Sequence, residues 1–391
     1  FGSNALLKQT VNDAHAKDIS IYLDYVANHI HSEHPLWKQH PEWFSALILP
    51  DGRQNLRLWD EHRLTTWFEP FMPSFDHAKP EVAEAVADSA MFWIKEFDLD
   101  GFRHDATKHI EVEFWRLLTR KIKTEIEIPQ QRAIYQIGES FGSRELIGSY
   151  VGSGMLNAQF DFNIYFDARS VFSIDEMPFD RMHASLQETF DYYGYHHVMG
   201  NISGNHDLPR FISYAGKGLR LDEDEKEAGW QRDIQVADTI GYHKLKMLHA
   251  FNATIPGVPI TYYGDEIGMP GAGDPDNRRM MYFDNITAQE EDVKNTVKKL
   301  NALRSSNMAL LYGDFKTTMV SQSVWIYERS YFDNKAEVLF NKSAKKLLVR
   351  LSDEVSAQDY KVHFGSQIMD AGVAEFIELK PYSFEIITIN K

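Results

Sequence analysis

Short apolar runs that end in an acid, each preceded by a segment with helical spacing, recur along most of this chain and restrict it to an α/β fold on parallel strands. Leu7, Val11 and Ala14 share one helical face and lead into a run over 19–24 that ends in Asp24. Val82, Val86, Ala90, Trp93 and Phe97 mark a second helix, which delivers the chain to a run over 99–105 ending in Asp105. Leu118, Ile122 and Ile126 lie on a third, followed by a run over 133–139 ending in Glu139. Further strand candidates cover 157–162, 198–203 and 258–263. A loop-rich stretch over 30–76 interrupts the pattern and reads as an insertion. From about residue 313 the spacing changes to short strands, such as 323–327 and 384–388, which predicts a small C-terminal β-sandwich. The acidic run 222–227 reads as a solvated loop.

Charge and composition exclude several classes of function. With 41 Lys and Arg against 57 Asp and Glu, the formal charge of -16 repels a phosphate backbone, so nucleic acid is not an expected partner. No apolar run is long enough for a membrane span, and Phe1-Gly2-Ser3-Asn4 lacks the start of a signal peptide. The absence of cysteine excludes disulfides and thiolate metal sites but fits any compartment. A periplasmic or secreted location is preferred here to a cytoplasmic one.

The working residues of a parallel barrel sit at the C-terminal ends of its strands, because the following loops form the open face. Asp24, Asp105 and Glu139 end three of the candidate strands, and His206-Asp207 follows a fourth. A single such acid means little, since Asp favours helix caps at these points. Four in register around one ring suit glycosidic cleavage, which needs one carboxylic acid to protonate the leaving oxygen and one carboxylate on the opposite face of the sugar. Arg103, two residues before Asp105 on the same strand, points to the same face and supplies a cation that favours the ionised carboxylate. His29, His31 and His34 suggest a zinc cluster only superficially, because two of them fall in the insertion rather than at strand ends.

Four segments, Asp24-Tyr25-Val26-Ala27-Asn28-His29, Gly101-Phe102-Arg103-His104-Asp105-Ala106-Thr107-Lys108-His109, Gly138-Glu139-Ser140 and Asn205-His206-Asp207, resemble the signature segments of the α-amylase family, glycoside hydrolase family thirteen, in the same order. Met72-Pro73-Ser74-Phe75-Asp76 and 257–266 are similar to two further family stretches. The resemblance implies a TIM-type (β/α)8 barrel over 1–29 and 77–312, an inserted domain over 30–76 after the third strand, and a C-terminal β-sandwich over 313–391. It also implies two strands ahead of the one that holds Asp24, so the barrel is expected to be incomplete at its N-terminus.

The same resemblance implies roles. Asp105 is the expected nucleophile, Glu139 the acid and then the base, and Asp207 the stabiliser of the transition state. Asp24, His29, Arg103 and His206 are expected around the sugar at the cleavage point. Lys108 and His109 are expected to contact sugars on the leaving side, and Asp274 and Arg278 to reach the non-reducing side. Asn28 and the His109 carbonyl match positions that bind a structural calcium, and no organic cofactor is expected. The expected substrate is an α-glucan poly- or oligosaccharide. Lys108-His109 resembles true α-amylases and favours endo-hydrolysis of α-1,4 bonds in starch, whereas Met72-Pro73 leans towards neopullulanases and cyclomaltodextrinases. Transglycosylation on the same scaffold, or a catalytically inactive carbohydrate-binding or partner protein, are the alternatives.

Overall fold

A computed structural model describes residues 2–351, 360–370 and 375–389. It divides into two compact units, Phe1–Phe160 and Asp161–Lys391.

In the first unit, four parallel strands lie in the order β1 (Tyr22–Tyr25), β2 (Gly101–His104), β3 (Tyr135–Gly138) and β4 (Ala158–Gln159). Register pairs Tyr22 with Gly101 and Gly101 with Tyr135, so the C-terminal ends of β1, β2 and β3 come level. Helix Pro80–Phe97 shows why the chain folds this way. Pro80 sits at its first position, where its missing N–H costs nothing, and Asp98 ends it in the left-handed region at φ 57°. Between them Val82, Val86, Ala90, Ile94 and Phe97 form one buried stripe, and full burial stabilises each of the larger side chains by roughly 1.5–3 kcal/mol. Phe102 and His104 of β2 face this core, and the His104 ring lies 4.8 Å from that of Trp115. Arg103 therefore falls on the opposite face by the two-residue period of a strand. Gly101 begins β2 because a Cβ there would lie 1.9 Å from the Tyr135 carbonyl oxygen.

The stretch 30–76 holds only short helices and isolated bridges. Its two ends meet where His29 bridges Ser74, and Trp67 and Phe75 bury the middle.

The second unit begins with helices Phe162–Ser173 and Phe179–Tyr193. Two parallel strands follow, β5 (Gly200–Ile202) and β6 (Val258–Ile260), with helix Ile240–Thr254 between them. The acidic run is not all loop. Asp224 accepts a hydrogen bond from the Glu227 amide and caps a helix, Glu225–Gln231, so part of the run serves as an N-terminal turn where negative charge suits the helix dipole. After helix Ala288–Ser306 come eight antiparallel strands: β7 (Asp314–Val320), β8 (Val324–Tyr331), β9 (Asn334–Asn341), β10 (Leu347–Arg350), β11 (Tyr360–Val362), β12 (Ile368–Asp370), β13 (Glu375–Leu379) and β14 (Ser383–Ile389). They form a five-stranded and a three-stranded sheet. The apolar run in β8 does not alternate because both its faces are buried. Trp325 and Tyr327 pack with the helices of this unit, and Val324 and Ile326 pack with Ile377 and Leu379 of the smaller sheet.

Candidate active site

At the C-terminal ends of the first unit's strands, one guanidinium gathers three carboxylates. Arg103 donates from one nitrogen to Asp24 at 2.7 Å and to Asp105 at 2.8 Å, and its other nitrogen meets Glu139 at 2.6 Å. Glu139 is buried, Asp105 half-buried and Asp24 exposed, with side-chain accessibilities of 8%, 21% and 53%. Burial disfavours the Arg103 charge, but Glu139, Asp105 and Asp24 together outweigh it and hold the guanidinium above its ordinary pKa.

The backbone fixes these groups. The Asp105 amide donates to the Tyr25 carbonyl, and Ala106 then turns the chain in the left-handed region at φ 49°, which costs a non-glycine residue about 1–2 kcal/mol. That turn brings Thr107 against β3: its hydroxyl accepts from the Glu139 amide at 3.1 Å, and its amide donates to the Glu139 carbonyl at 2.9 Å. His29 is buried beside Asn28, whose side-chain nitrogen lies 3.2 Å from its Nδ1. Burial lowers the His29 pKa, and the charge of Asp105 partly restores it.

Lys108 and His109 each have a hydrogen-bond partner within the protein. Lys108 Nζ donates to the Phe141 carbonyl at 2.7 Å. His109 is buried, its Nδ1 lies 2.8 Å from the Arg63 carbonyl, and its ring packs against Phe68 and Trp59. Burial pushes its pKa down to about 4, so it is neutral at pH 7, with Nδ1–H donating to that carbonyl. His109 thus braces the insertion through Nδ1.

The expected calcium donors are Asn28 and the His109 carbonyl. Arg63 donates to the neighbouring Lys108 carbonyl and, at 2.5 Å, to the Tyr150 hydroxyl. Among the described residues no group of three or more His, Asp and Glu is arranged to hold a metal.

In the second unit His206 and Asp207 follow β5. Arg278 donates to the His206 carbonyl at 2.9 Å and to Asp207 at 3.3 Å, and pairs with Asp274 at 3.0 Å. His206 Nε2 lies 3.5 Å from Asp207. The four residues expected from this unit therefore form one cluster. Its support had not been singled out. Fully buried Asn277 donates to the His206 and Leu208 carbonyls at 2.8 and 2.9 Å. Beneath it, buried Arg210 pairs with Asp265 at 2.9 Å and stacks 4.0 Å from the Tyr262 ring centroid. The signal was a buried-pair candidate, an Arg three residues past Asp207 and an acid beyond the last parallel strand.

Parallel strands ending in acids that share one guanidinium, in a chain that also carries an antiparallel β-domain, form an arrangement suited to glycosidic cleavage. The chain belongs to the α-amylase family, whose catalytic-domain model matches residues 1–308. Among curated relatives, it is 27% identical over 405 residues to a cyclomaltodextrinase of Geobacillus thermopakistaniensis, covering 100% of this chain and 63% of the relative. It is 28% identical over 368 residues to an intracellular maltogenic amylase of Bacillus subtilis, covering 89% and 56%. The chain thus spans less than two thirds of the length of these relatives. The solved α-amylase of Geobacillus thermoleovorans, complexed with acarbose, superposes with a TM-score of 0.83 at 23% identity over 100% of this chain and 82% of that one. An Anoxybacillus α-amylase gives a TM-score of 0.81 at 26% identity, covering 100% and 80%. The fold is accordingly a TIM barrel with a C-terminal β-sheet domain.

Proposed function

We propose that this chain carries the catalytic part of a retaining α-glucan hydrolase that prefers cyclomaltodextrins and short α-1,4-glucans to long starch chains. The observation that carries the chemistry is the single guanidinium shared by Asp105 and Glu139. One guanidinium holding both carboxylates, at 2.8 and 2.6 Å, suits the close spacing of about 5 to 5.5 Å that a retaining pair needs. In this reading Asp105 attacks the anomeric carbon and Glu139 protonates the departing glycosidic oxygen. Glu139 then takes a proton from the water that releases the sugar. Arg103 keeps the nucleophile charged, and Asp207, held by Arg278, stabilises positive charge on the sugar ring.

The preference for cyclic and short substrates revises the endo-amylase expectation. That expectation rested on Lys108 and His109 touching sugar, and each side chain makes one hydrogen bond to a backbone carbonyl. The names of the curated relatives support the same choice. We also read 30–76 as the inserted domain after the third barrel strand. The described residues supply six parallel strands, and β1, paired to β2 alone, leaves Tyr22 46% exposed.

Reducing-end assays on β-cyclodextrin, pullulan and amylose test the substrate. A higher kcat/KM on β-cyclodextrin than on amylose is expected. The opposite order returns the endo-amylase reading.

A further inference from the structure

Trp230 is 73% exposed, an unusual position for the largest apolar side chain. It lies on helix Glu225–Gln231, in the long connection between β5 and helix Ile240–Thr254. The adjoining residues tie this short helix to the loop that carries Asp274 and Arg278. Ala228 is buried in a cluster with Tyr214, Leu219, Ile234 and Ala272. Gly229 lies so close to that loop that a Cβ there would sit 2.9 Å from the Ala272 Cβ and 3.1 Å from the Asp276 Cβ. The Gly273 amide donates to the Glu225 carbonyl at 3.2 Å, and Arg279 pairs with Asp233 at 3.2 Å.

The loop is in turn fastened to the candidate acid, through Arg278 to Asp207 and to the His206 carbonyl. A continuous set of contacts therefore runs from Asp207 to the helix that displays Trp230. Met280, 88% exposed, and Phe283, 79% exposed, follow Arg278 and Arg279 on the same loop. Ala228 and Gly229 spend their side of the helix on packing, which leaves the indole as the part of the turn turned to solvent. An indole held on an anchored helix, within a unit rich in acids and guanidinium groups, suits the apolar face of a glucose ring, whose hydroxyls point to the edge.

We propose that Trp230 is a specificity-determining residue: a stacking platform for glucose units beyond the cleavage point, on the side served by Asp274 and Arg278, which favours cyclodextrins and maltoheptaose over maltotriose. The proposal rests on the α-glucan reading above. It makes Trp230 a binding residue and gives it no part in the bond-breaking steps.

The test uses the full chain with Trp230→Ala and Trp230→Phe, assayed on maltoheptaose and maltotriose. Loss of one aromatic stacking contact should raise the maltoheptaose KM about 5-fold, with kcat and the maltotriose KM moving less than about twofold and Trp230→Phe recovering most of the loss. An unchanged maltoheptaose KM in Trp230→Ala, or an equal rise for both sugars, overturns the proposal. If the unaltered chain cleaves neither sugar, the α-glucan hydrolase reading fails by itself. Calorimetric titration with maltoheptaose then tests the platform separately: weaker binding by Trp230→Ala upholds it, and equal binding overturns it.

Discussion

Replacing Arg103 by Met removes one cation from among three carboxylates while keeping most of the side-chain volume. The three contacts differ in weight. Asp24 is 53% exposed, and a solvent-screened pair of that kind contributes about 0–1 kcal/mol. Asp105 and Glu139 are 21% and 8% exposed, and leaving them without their cation costs about 3–5 kcal/mol, the range for breaking a buried pair. The guanidinium is charged throughout the working range because its pKa lies above the ordinary value. Its removal leaves three carboxylates close together with no cation among them. Urea unfolding of both proteins measures the loss of stability, with kcat/KM on β-cyclodextrin expected to fall by about 10³-fold or more. A variant as stable as the original, or one that keeps full activity, would refute the reasoning.

Asp207→Asn should lower turnover by about 10²-fold or more while its melting temperature stays close to that of the original, since it touches the proposed transition state and sits half-exposed; an early melt with full residual activity would make Asp207 structural. His109→Ala should cost about 1–3 kcal/mol, because the Arg63 carbonyl loses its donor, and calorimetric melting reads this directly. Buried His77, His104 and His109 have pKa values lowered by burial to about 4, 3 and 4. Their folded values lie below the unfolded value of about 6.5, so the folded state resists protonation: its stability is complete above that pH and declines as pH falls towards 4, by up to about 1.4 kcal/mol per pH unit for each histidine. Replacing His104 by Gln should flatten that slope in a series of urea titrations from pH 7 to 4, and an unchanged slope would remove His104 from the account.

The parallel strands and their acids were legible because they depend on local pattern. A short apolar run after a helical stripe marks a buried strand, and each observed parallel strand lies inside its expected window except β1, which runs one residue past it to Tyr25. Arg103 was legible for the same reason, since two residues along a strand return to the same face. The partner of His109 was not legible because a motif position says nothing about which carbonyl lies opposite. That partner, Arg63, is 46 residues away in a segment with no periodic signal. Asn277 and the Arg210–Asp265 pair escaped notice because their purpose is to hold backbone carbonyls and loops, a role that any polar residue in a loop could fill. The helix Glu225–Gln231 was hidden by its charge: acids at a helix start and acids in a solvated loop have the same composition, and only the Asp224 cap distinguishes them.

The central claim is that Asp105 forms a covalent bond to the sugar. Incubating the full chain with a fluorinated glucosyl fluoride that forms the intermediate quickly and releases it slowly, followed by mass spectrometry of the digested protein, examines that bond itself. The account predicts one added glycosyl group on the peptide containing Asp105, and none after Asp105→Asn. Label on another acid, or cleavage of α-linked substrate to a β-configured first product with no label at all, would contradict it.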